Sequence, residues 1–197
     1  MAPLDEAPPD DVAAPIRDAL AGGFTVMKSK TRPLCQVWLR RGVPTIAGFE
    51  PTLNKLYPIE PGQLVGVVRF ASKATDFRGQ EIPRGVYTLR FALQPVDGDH
   101  VGTSDTRDFL LVTAATDDDS LDSVDEEDLF GRSAEAVETS HPGMLCLQQS
   151  PEAGANKGAA AIRHDENRDW WIVDFMTTDA DGKPLPMSLV VVGESQG

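Results

Sequence analysis

The stretch VYTLRFAL, residues 86–93, decides the fold class because its large apolar residues recur at every second position. Tyr87, Leu89 and Phe91 share one face of an extended chain, and the residues between them share the other. Successive side chains of a β-strand point to opposite faces of its sheet. The stretch is therefore predicted to be a β-strand.

Similar runs recur along most of the chain, separated by segments rich in turn-forming residues. DENRD (165–169) and TTDADGKPLP (177–186) lie where hairpin turns are needed. Eight or nine short strands at this spacing are typical of a sandwich or a barrel, and we expect an all-β, antiparallel β-sandwich. The other predicted strands are residues 24–30, 34–40, 64–71, 108–113, 143–149, 159–164, 169–177 and 187–193.

One α-helix is predicted to be inserted among the strands, from Ser123 to Glu138. Ser123 and Glu126 form a capping-box pattern, and the acids of the first turn suit the positive end of the helix dipole. Gly131 in the interior is unfavourable to the helix. A short helix is also predicted within PIRDALAGG (15–23), with its proline in the first turn and its two glycines ending it.

Length and composition are those of one globular domain, with 197 residues and 41% hydrophobic content. Residues 1–14 are rich in proline and acids, so we expect a disordered linker there and a single domain over 15–197. No apolar run approaches the roughly 18 residues of a membrane helix, so direct membrane insertion is not expected. No signal-peptide pattern opens the chain, which fits a cytoplasmic protein or an exported one without its leader.

The net charge of −13 argues against nucleic acid, whose phosphates require a clustered basic surface. It also disfavours docking to anionic lipid. The acids concentrate in residues 5–11 and 117–128, which is typical of solvated segments. A cationic partner or a diffuse cation site is the alternative for these segments.

The richest polar segment is PVDGDHVGTSDTRD (95–108), which connects two predicted strands. Long loops that carry such side chains on a rigid sheet are common binding sites. One interpretation needs no ligand: the acids cap their own backbone, and Arg107 forms ion pairs with Asp99 or Asp105. The candidate binding-loop residues outside a metal site are Asp97, Asp105 and Arg107.

A second interpretation of this loop is calcium binding. Asp97, Asp99 and Asp108 occupy the first, third and twelfth positions of an EF-hand pattern. Val101 stands where the fifth ligand belongs and no helices flank the loop, which excludes an EF-hand and leaves an irregular calcium loop.

A third interpretation is a transition-metal site. His100 and His141 each lie beside a predicted strand, and with Asp99 or Asp108 they would supply a plausible zinc or copper ligand set. The order of residues in 141–146 reverses that of cupredoxins. The additional candidates in a copper version are Met144 and Cys146.

The remaining reactive and aromatic residues have simpler predicted roles. Cys35 and Cys146 lie in apolar runs and are predicted to be buried thiols, with a disulfide or a metal or redox role left open. Trp170 and Trp171 point to opposite faces of one strand, so one should be core and the other could stack on a sugar or a partner. His164 ends a strand beside a turn and is predicted to be exposed.

Common catalytic signatures are absent from the sequence, including G-x-S-x-G, H-E-x-x-H, the Walker loop and the dinucleotide fingerprint. Ser104, His100 and Asp105 contain the residue types of a catalytic triad. Near neighbours in one loop rarely achieve the required geometry, however. A non-enzymatic role is therefore favoured.

The segment IPRGVYTLRFALQPVDGDHVGTSDTRDFLLV, followed by SAEAVETSHPGMLCL, resembles a group of uncharacterised exported bacterial proteins. The resemblance covers residues 82–147. It implies an extracytoplasmic location, periplasmic or secreted, and directs attention to His100, Arg107, Asp108 and His141. It implies no reaction.

The sequence therefore favours an extracytoplasmic binding or accessory protein with a protein partner or a small ligand. The first alternative is a metal-binding protein or metal-dependent enzyme that uses His100, His141 and a loop carboxylate, with zinc, copper or calcium as candidate ions. The second is a carbohydrate-binding module. The oligomeric state is left open.

Overall fold

The strands and helices are taken from a computed structural model, which describes residues 1–96, 104–151 and 160–195. The described residues contain two α-helices, α1 (Ala14–Ala19) and α2 (Glu126–Ala136), and a single 3-10 turn at Ala115–Asp117. The strands are β1 (Ala2–Pro3), β2 (Leu20–Met27), β3 (Pro33–Arg40), β4 (Leu64–Phe70), β5 (Ala74–Thr75), β6 (Glu81–Ile82), β7 (Gly85–Leu93), β8 (Asp108–Ala114), β9 (Met144–Gln148), β10 (Ala161–Asp165), β11 (Trp170–Thr178) and β12 (Pro184–Val192). Neither helix is long and apolar enough to cross a membrane.

Ten strands form one antiparallel sheet in the order β1-β2-β3-β4-β7-β8-β9-β12-β11-β10, and β5 pairs with β6 separately. All nine strands predicted from the alternating pattern are present, with ends that differ by a few residues. The prediction of a mostly-β, antiparallel protein is confirmed. The ends differ because fraying and turns, rather than side-chain period, set where pairing stops.

The sheet is continuous, which differs from the predicted two-sheet sandwich. Strand β9 pairs with β8 along one edge and with β12 along the other, through Phe109–Cys146 and Ser188–Gln148 among other pairs. Because β9 is paired on both sides, all ten strands belong to one sheet that curls into a half-barrel. Alternation reveals the face that each residue occupies, but it does not reveal which strands become neighbours.

The curl brings distant strands face to face around the main core. Phe24 of β2 and Phe175 of β11 pack with ring centroids 5.3 Å apart, although six strands separate β2 from β11 in the sheet. The segment after β3 pairs with the end of β11. There Val43 N–H donates to the Thr178 carbonyl at 2.9 Å, and Ala180 N–H donates to the Val43 carbonyl at 3.1 Å. These contacts hold the two ends of the sheet together.

Additional segments cover the outer face of the sheet. Residues 1–14, predicted as a disordered linker, lie on the body: β1 pairs with β2, and Leu4 and Val12 are buried in a cluster with Trp38. These apolar residues are few, but they fall where β3 and β4 present an apolar outer surface. The predicted short helix ends at Ala19, earlier than expected, because β2 continues through the glycines that were predicted to end it.

Helix α2 covers a second part of the outer face, over β7 and β8. Leu129 is buried there in a cluster with Ala92 and Leu111. The helix begins later than predicted, because Asp125 rather than Ser123 caps it and accepts from the Glu127 N–H at 3.0 Å. The Ser123 hydroxyl instead donates to the Pro61 carbonyl at 2.9 Å.

A buried ion pair fixes the chain between β8 and α2. Arg90 is fully buried and donates to both carboxylate oxygens of Asp118 at 2.7 Å. The same guanidinium donates to the carbonyls of Gly62, Ser120 and Asp122 at 2.6–2.8 Å. The acidic segment 117–128 is therefore not wholly solvated as predicted, since Asp118 anchors it to the sheet.

Candidate functional site

A groove of about 360 Å³ lies between α2 and the outer face of β7, β8 and β9. We call it the α2 groove. Its lining is mainly apolar, with a charged and polar rim. The floor is formed by Ala92, Leu93, Phe109, Leu111 and Met144, the helix wall by Phe130, Gly131 and Ala134, and the remainder by Arg78, Gln94, Pro95, Ser140, His141 and Pro142.

Of the two segments that the sequence singled out, the one around His141 lines this groove, and the polar loop contributes Pro95 among its described residues. Pro95, the first residue of the polar loop, and His141, which precedes β9, line the same cavity. The side chain of His141 is exposed at the rim. Asp97, Asp99 and His100 lie outside the described residues.

A tight turn after α2 positions His141. The Thr139 hydroxyl donates to the His141 carbonyl at 2.7 Å, and Glu138 adopts a left-handed backbone conformation with φ of 57°. Next along the chain, the Gly143 N–H donates to the buried Ser133 hydroxyl of α2 at 3.1 Å. The turn is thus tied to the helix that forms the opposite wall.

Arg78 is positioned by a second turn, which Asp76 organises. The buried Asp76 carboxylate accepts from the backbone N–H groups of Arg78 and Gln80, both at 2.8 Å, and from Met144 N–H at 3.2 Å. Gly79 has a φ of 82°, which only glycine adopts readily. The backbone of this turn is therefore fixed to the first residue of β9, while the Arg78 side chain projects at the exposed rim.

Gly131 leaves space in the helix wall of the groove. A Cβ atom built at this position meets no other atom within 4 Å. No close packing therefore requires a glycine here, although glycine costs roughly 0.5–1 kcal/mol relative to alanine inside a helix.

The described ends of the polar loop are held by contacts other than those predicted. Arg107 donates from Nε to the Gln94 carbonyl at 2.7 Å, and Gln94 N–H donates to the Arg107 carbonyl at 2.7 Å. Asp105 pairs with Arg168 at the β10–β11 turn rather than with Arg107. The predicted pairing of Arg107 with Asp105 is wrong, because Arg168 from a distant hairpin reaches Asp105 and Arg107 closes the base of its own loop. The alternative partner, Asp99, lies outside the described residues.

Asp108 is fully buried and holds the segment before β4. Its carboxylate accepts from the backbone N–H groups of Leu56 at 3.0 Å and Tyr57 at 3.0 Å. Burial raises the pKa of Asp108 above its ordinary value, against the lowering effect of these N–H donors and of Lys55 and Arg107. The side chain has a structural role that the sequence did not indicate.

The structure describes only some of the residues that were predicted to bind a metal ion. Within residues 1–96, 104–151 and 160–195, no three His, Cys, Asp or Glu side chains cluster as metal ligands. His141 is exposed at the groove rim, whereas Asp108 is buried against backbone amides. A site that includes His100 and Asp99 stays a prediction.

Both cysteines are buried free thiols. Burial raises the pKa of Cys35 to about 12 and also raises the pKa of Cys146. Cys146 lies near the Ser104 hydroxyl at 3.5 Å and accepts from the Gln148 amide at 3.1 Å. The two thiols match the predicted inert form rather than the disulfide.

The two tryptophans differ in exposure, as predicted. Trp170 is buried and its indole N–H donates to the Glu194 carbonyl at 3.0 Å. Trp171 is 41% exposed and stacks on His164 with ring centroids 4.5 Å apart. Trp171 also lines a second cavity of about 520 Å³, which we call the Trp171 cleft, together with Leu34, Lys73 and other residues.

No protein-family model, curated protein or solved structure matches this chain. The function of this chain is therefore inferred from the chemistry of its site.

Sequence reasoning did not find several groove residues. Phe109 and Phe130 were assigned to a strand and a helix, but their shared cavity depends on how α2 docks. Arg78 lies in a turn without periodicity, and only the Asp76-x-x-Gly79 turn pattern could have marked its fixed backbone. Gly131 was expected only to be unfavourable to the helix, and its place in the groove lining depends on how α2 docks.

Proposed function

We propose that the protein is an extracytoplasmic, non-enzymatic binding protein that holds a small, largely apolar molecule in the α2 groove. The observation that carries this proposal is the mainly apolar groove that Pro95 and His141 help to line. Its volume of about 360 Å³ falls at the lower end of the range typical of small-molecule sites.

The lining supports an apolar ligand. Phe130 and Met144, both half-buried, offer an aromatic ring and a polarisable thioether above the buried Phe109, and such groups adapt to apolar ligands of varied shape. The rim carries the polar groups that would orient such a ligand. A mainly apolar cleft with few convergent polar groups is the usual form of a small-molecule site.

Gly131 gives independent support. Its lack of a side chain keeps the helix wall open, although alanine would favour the helix and would meet nothing within 4 Å. A residue that lowers helix stability without a packing reason is explained by a requirement for space in the groove.

A neutral apolar fluorophore such as N-phenyl-1-naphthylamine tests the proposal. We expect its fluorescence to rise on binding to the protein, and we expect Gly131→Leu to abolish the rise by filling the groove. Glu135→Leu adds the same side chain on α2 outside the groove lining and should leave binding unchanged. Absence of binding to the unaltered protein, or equal loss in both variants, would overturn the proposal.

The extracytoplasmic location rests on the resemblance of residues 82–147 to exported proteins. Detection of the protein with antibodies in fractionated source cells tests it. Recovery with the cytoplasmic markers would contradict it.

Trp171 favours a second candidate function, carbohydrate binding. Its side chain is 41% exposed and lines the Trp171 cleft, and one face of its ring stacks on His164. Titration with soluble polysaccharides should then change tryptophan fluorescence in the unaltered protein and not in Trp171→Ala. No change with any polysaccharide would remove this candidate.

A further inference from the structure

We infer that the α2 groove selects small apolar carboxylates, with the carboxylate held by Arg78 and His141 and the apolar body lying along the sheet. The inference rests on the proposed function and adds the chemical class of the ligand. It is carried by the side chains of Arg78 and His141 at the rim of a mainly apolar cavity.

Arg78 has its guanidinium available for a ligand. In the part of the chain that the structure describes, its side chain has no hydrogen bond or ion pair, and its bonded contact to Asp76 is made by the backbone N–H. A guanidinium presents a planar fork of N–H donors that matches both oxygens of a carboxylate. Lysine at the same place would offer only a point charge.

His141 supplies a second donor on the same rim. Its polar contacts within the described residues are made by the backbone N–H and carbonyl to Thr139, which leaves the imidazole for a ligand. Either tautomer of a neutral imidazole carries one N–H that can donate to a carboxylate oxygen. The fixed turns around Asp76 and Thr139 hold the backbones of both residues before a ligand arrives, which lowers the ordering cost of binding.

The apolar residues of the groove floor determine the kind of ligand body that fits. Phe109 and Leu111, both almost fully buried, lie on one strand and the half-buried Met144 on the next, so an extended chain or a flat ring can lie along this part of the sheet beside Phe130. None of the floor residues that the structure describes is charged, so they provide no partner for a second charge on the ligand. A molecule with one charged end and an apolar body therefore fits better than a dianion.

The net charge of the whole chain helps to distinguish binding by local groups from general electrostatic attraction. With a net charge of −13, the long-range field of the protein attracts cations and repels anions. A preference for an anion over a neutral or cationic molecule of the same apolar body must then come from local groups. Arg78 and His141 are the local groups at this rim.

Calorimetric titration with three ligands that share a ten-carbon chain tests the inference: decanoate, 1-decanol and decyltrimethylammonium. We expect decanoate to bind about tenfold more tightly than 1-decanol, the ratio expected for a charge-assisted hydrogen bond. Decyltrimethylammonium should bind more weakly than both. Higher salt should reduce the preference for decanoate, because the rim is exposed.

Arg78→Gln should remove most of the preference for decanoate and leave 1-decanol binding unchanged. Arg84→Gln is the matched control, since it makes the same charge change at an exposed arginine outside the groove lining. Arg78→Lys keeps the charge without the fork and should give an intermediate affinity, and His141→Phe should weaken decanoate binding by several fold. Melting curves of each variant verify that the fold is retained.

Equal affinities for decanoate and 1-decanol, or equal effects of Arg78→Gln and Arg84→Gln, would overturn the inference. The proposed function would still stand if a neutral molecule bound in the groove. If neither the three ligands nor the neutral fluorophore bound, both would fall.

Discussion

At the scale of single residues, the buried pair of Arg90 and Asp118 is the clearest determinant of stability. Its geometry is bidentate, and carbonyl groups accept the remaining guanidinium donors. Removing one partner would leave the other charge buried without compensation. The pair attaches the acidic segment that leads into α2, so it also supports the groove.

Asp118→Ala should therefore lower the free energy of unfolding by about 3–5 kcal/mol, the usual cost of leaving a buried charge unpaired. Asp119→Ala removes the neighbouring exposed acid and should change it by less than about 0.5 kcal/mol. Urea denaturation of both variants measures the difference. Similar values for the two variants would contradict the structural role of the pair.

Asp108 is the residue for which the structure predicts a dependence on pH. Burial raises its pKa in the folded state, so the native protein binds a proton more readily than the unfolded chain. The stability that this group contributes is present at low pH and is lost as the pH rises from about 3.9, the unfolded value, through the raised folded value.

The comparison with Asp108→Asn isolates this effect, because the other titrating groups are shared and cancel. We expect the unfolding free energy of the unaltered protein, relative to that of the variant, to fall as the pH is raised from 4 to 7. Denaturation at several pH values measures it. A difference that stayed constant or increased would show that burial does not dominate at this carboxylate.

At the scale of elements, Gly131 lowers the intrinsic stability of helix α2 and leaves space in the wall of the groove. Gly131→Ala should raise the free energy of unfolding by roughly 0.5–1 kcal/mol, because alanine restricts the unfolded chain and meets no clash in the helix. For a domain of this size that corresponds to an increase in Tm of about 1–4 °C, measurable by calorimetry. A decrease in Tm would show that a side chain at residue 131 is strained, although a Cβ atom there meets no other atom within 4 Å.

The elements also show how far sequence reasoning extends. Alternation located all nine long strands, because the side-chain period is a local property of residues such as Tyr87, Leu89 and Phe91. It could not identify β9 as the strand that joins the sheet, since pairing between β9 and β12 depends on distant partners. Of the groove residues, His141 was singled out from the sequence because histidine is a common ligand. Arg78 and Phe130 were not, because they come together only when α2 packs on the sheet.

At the scale of the whole molecule, Tyr57 links the segment before β4 to the place where β9 meets β12. Its hydroxyl donates to the Gln148 carbonyl at 2.6 Å and accepts from the Ser188 N–H at 3.0 Å. Burial raises the pKa of Tyr57 to about 12, so the hydroxyl stays protonated as a donor. It therefore completes the hydrogen bonding where β9 and β12 share only two residue pairs.

Tyr57→Phe should lower the free energy of unfolding by about 1–3 kcal/mol, because it leaves a buried N–H and a carbonyl unsatisfied. Tyr87→Phe is the control: its hydroxyl makes one part-buried bond, to the Pro83 carbonyl, so a loss of about 0.5–1.5 kcal/mol is expected. Guanidinium denaturation compares them. A larger loss in Tyr87→Phe would argue against the importance of the β9–β12 junction.

The narrow pairing of β9 with β12 has a consequence for the order in which the chain assembles. Strands β2 to β8 can form hairpin by hairpin from near neighbours, and β10 to β12 can do the same at the C-terminal end. Joining these two preformed halves means closing a long stretch of chain, the step that loop-closure entropy slows most. We expect the pairing of β9 with β12 to form after these hairpins, together with the packing of Phe24 on Phe175 that brings the two halves face to face.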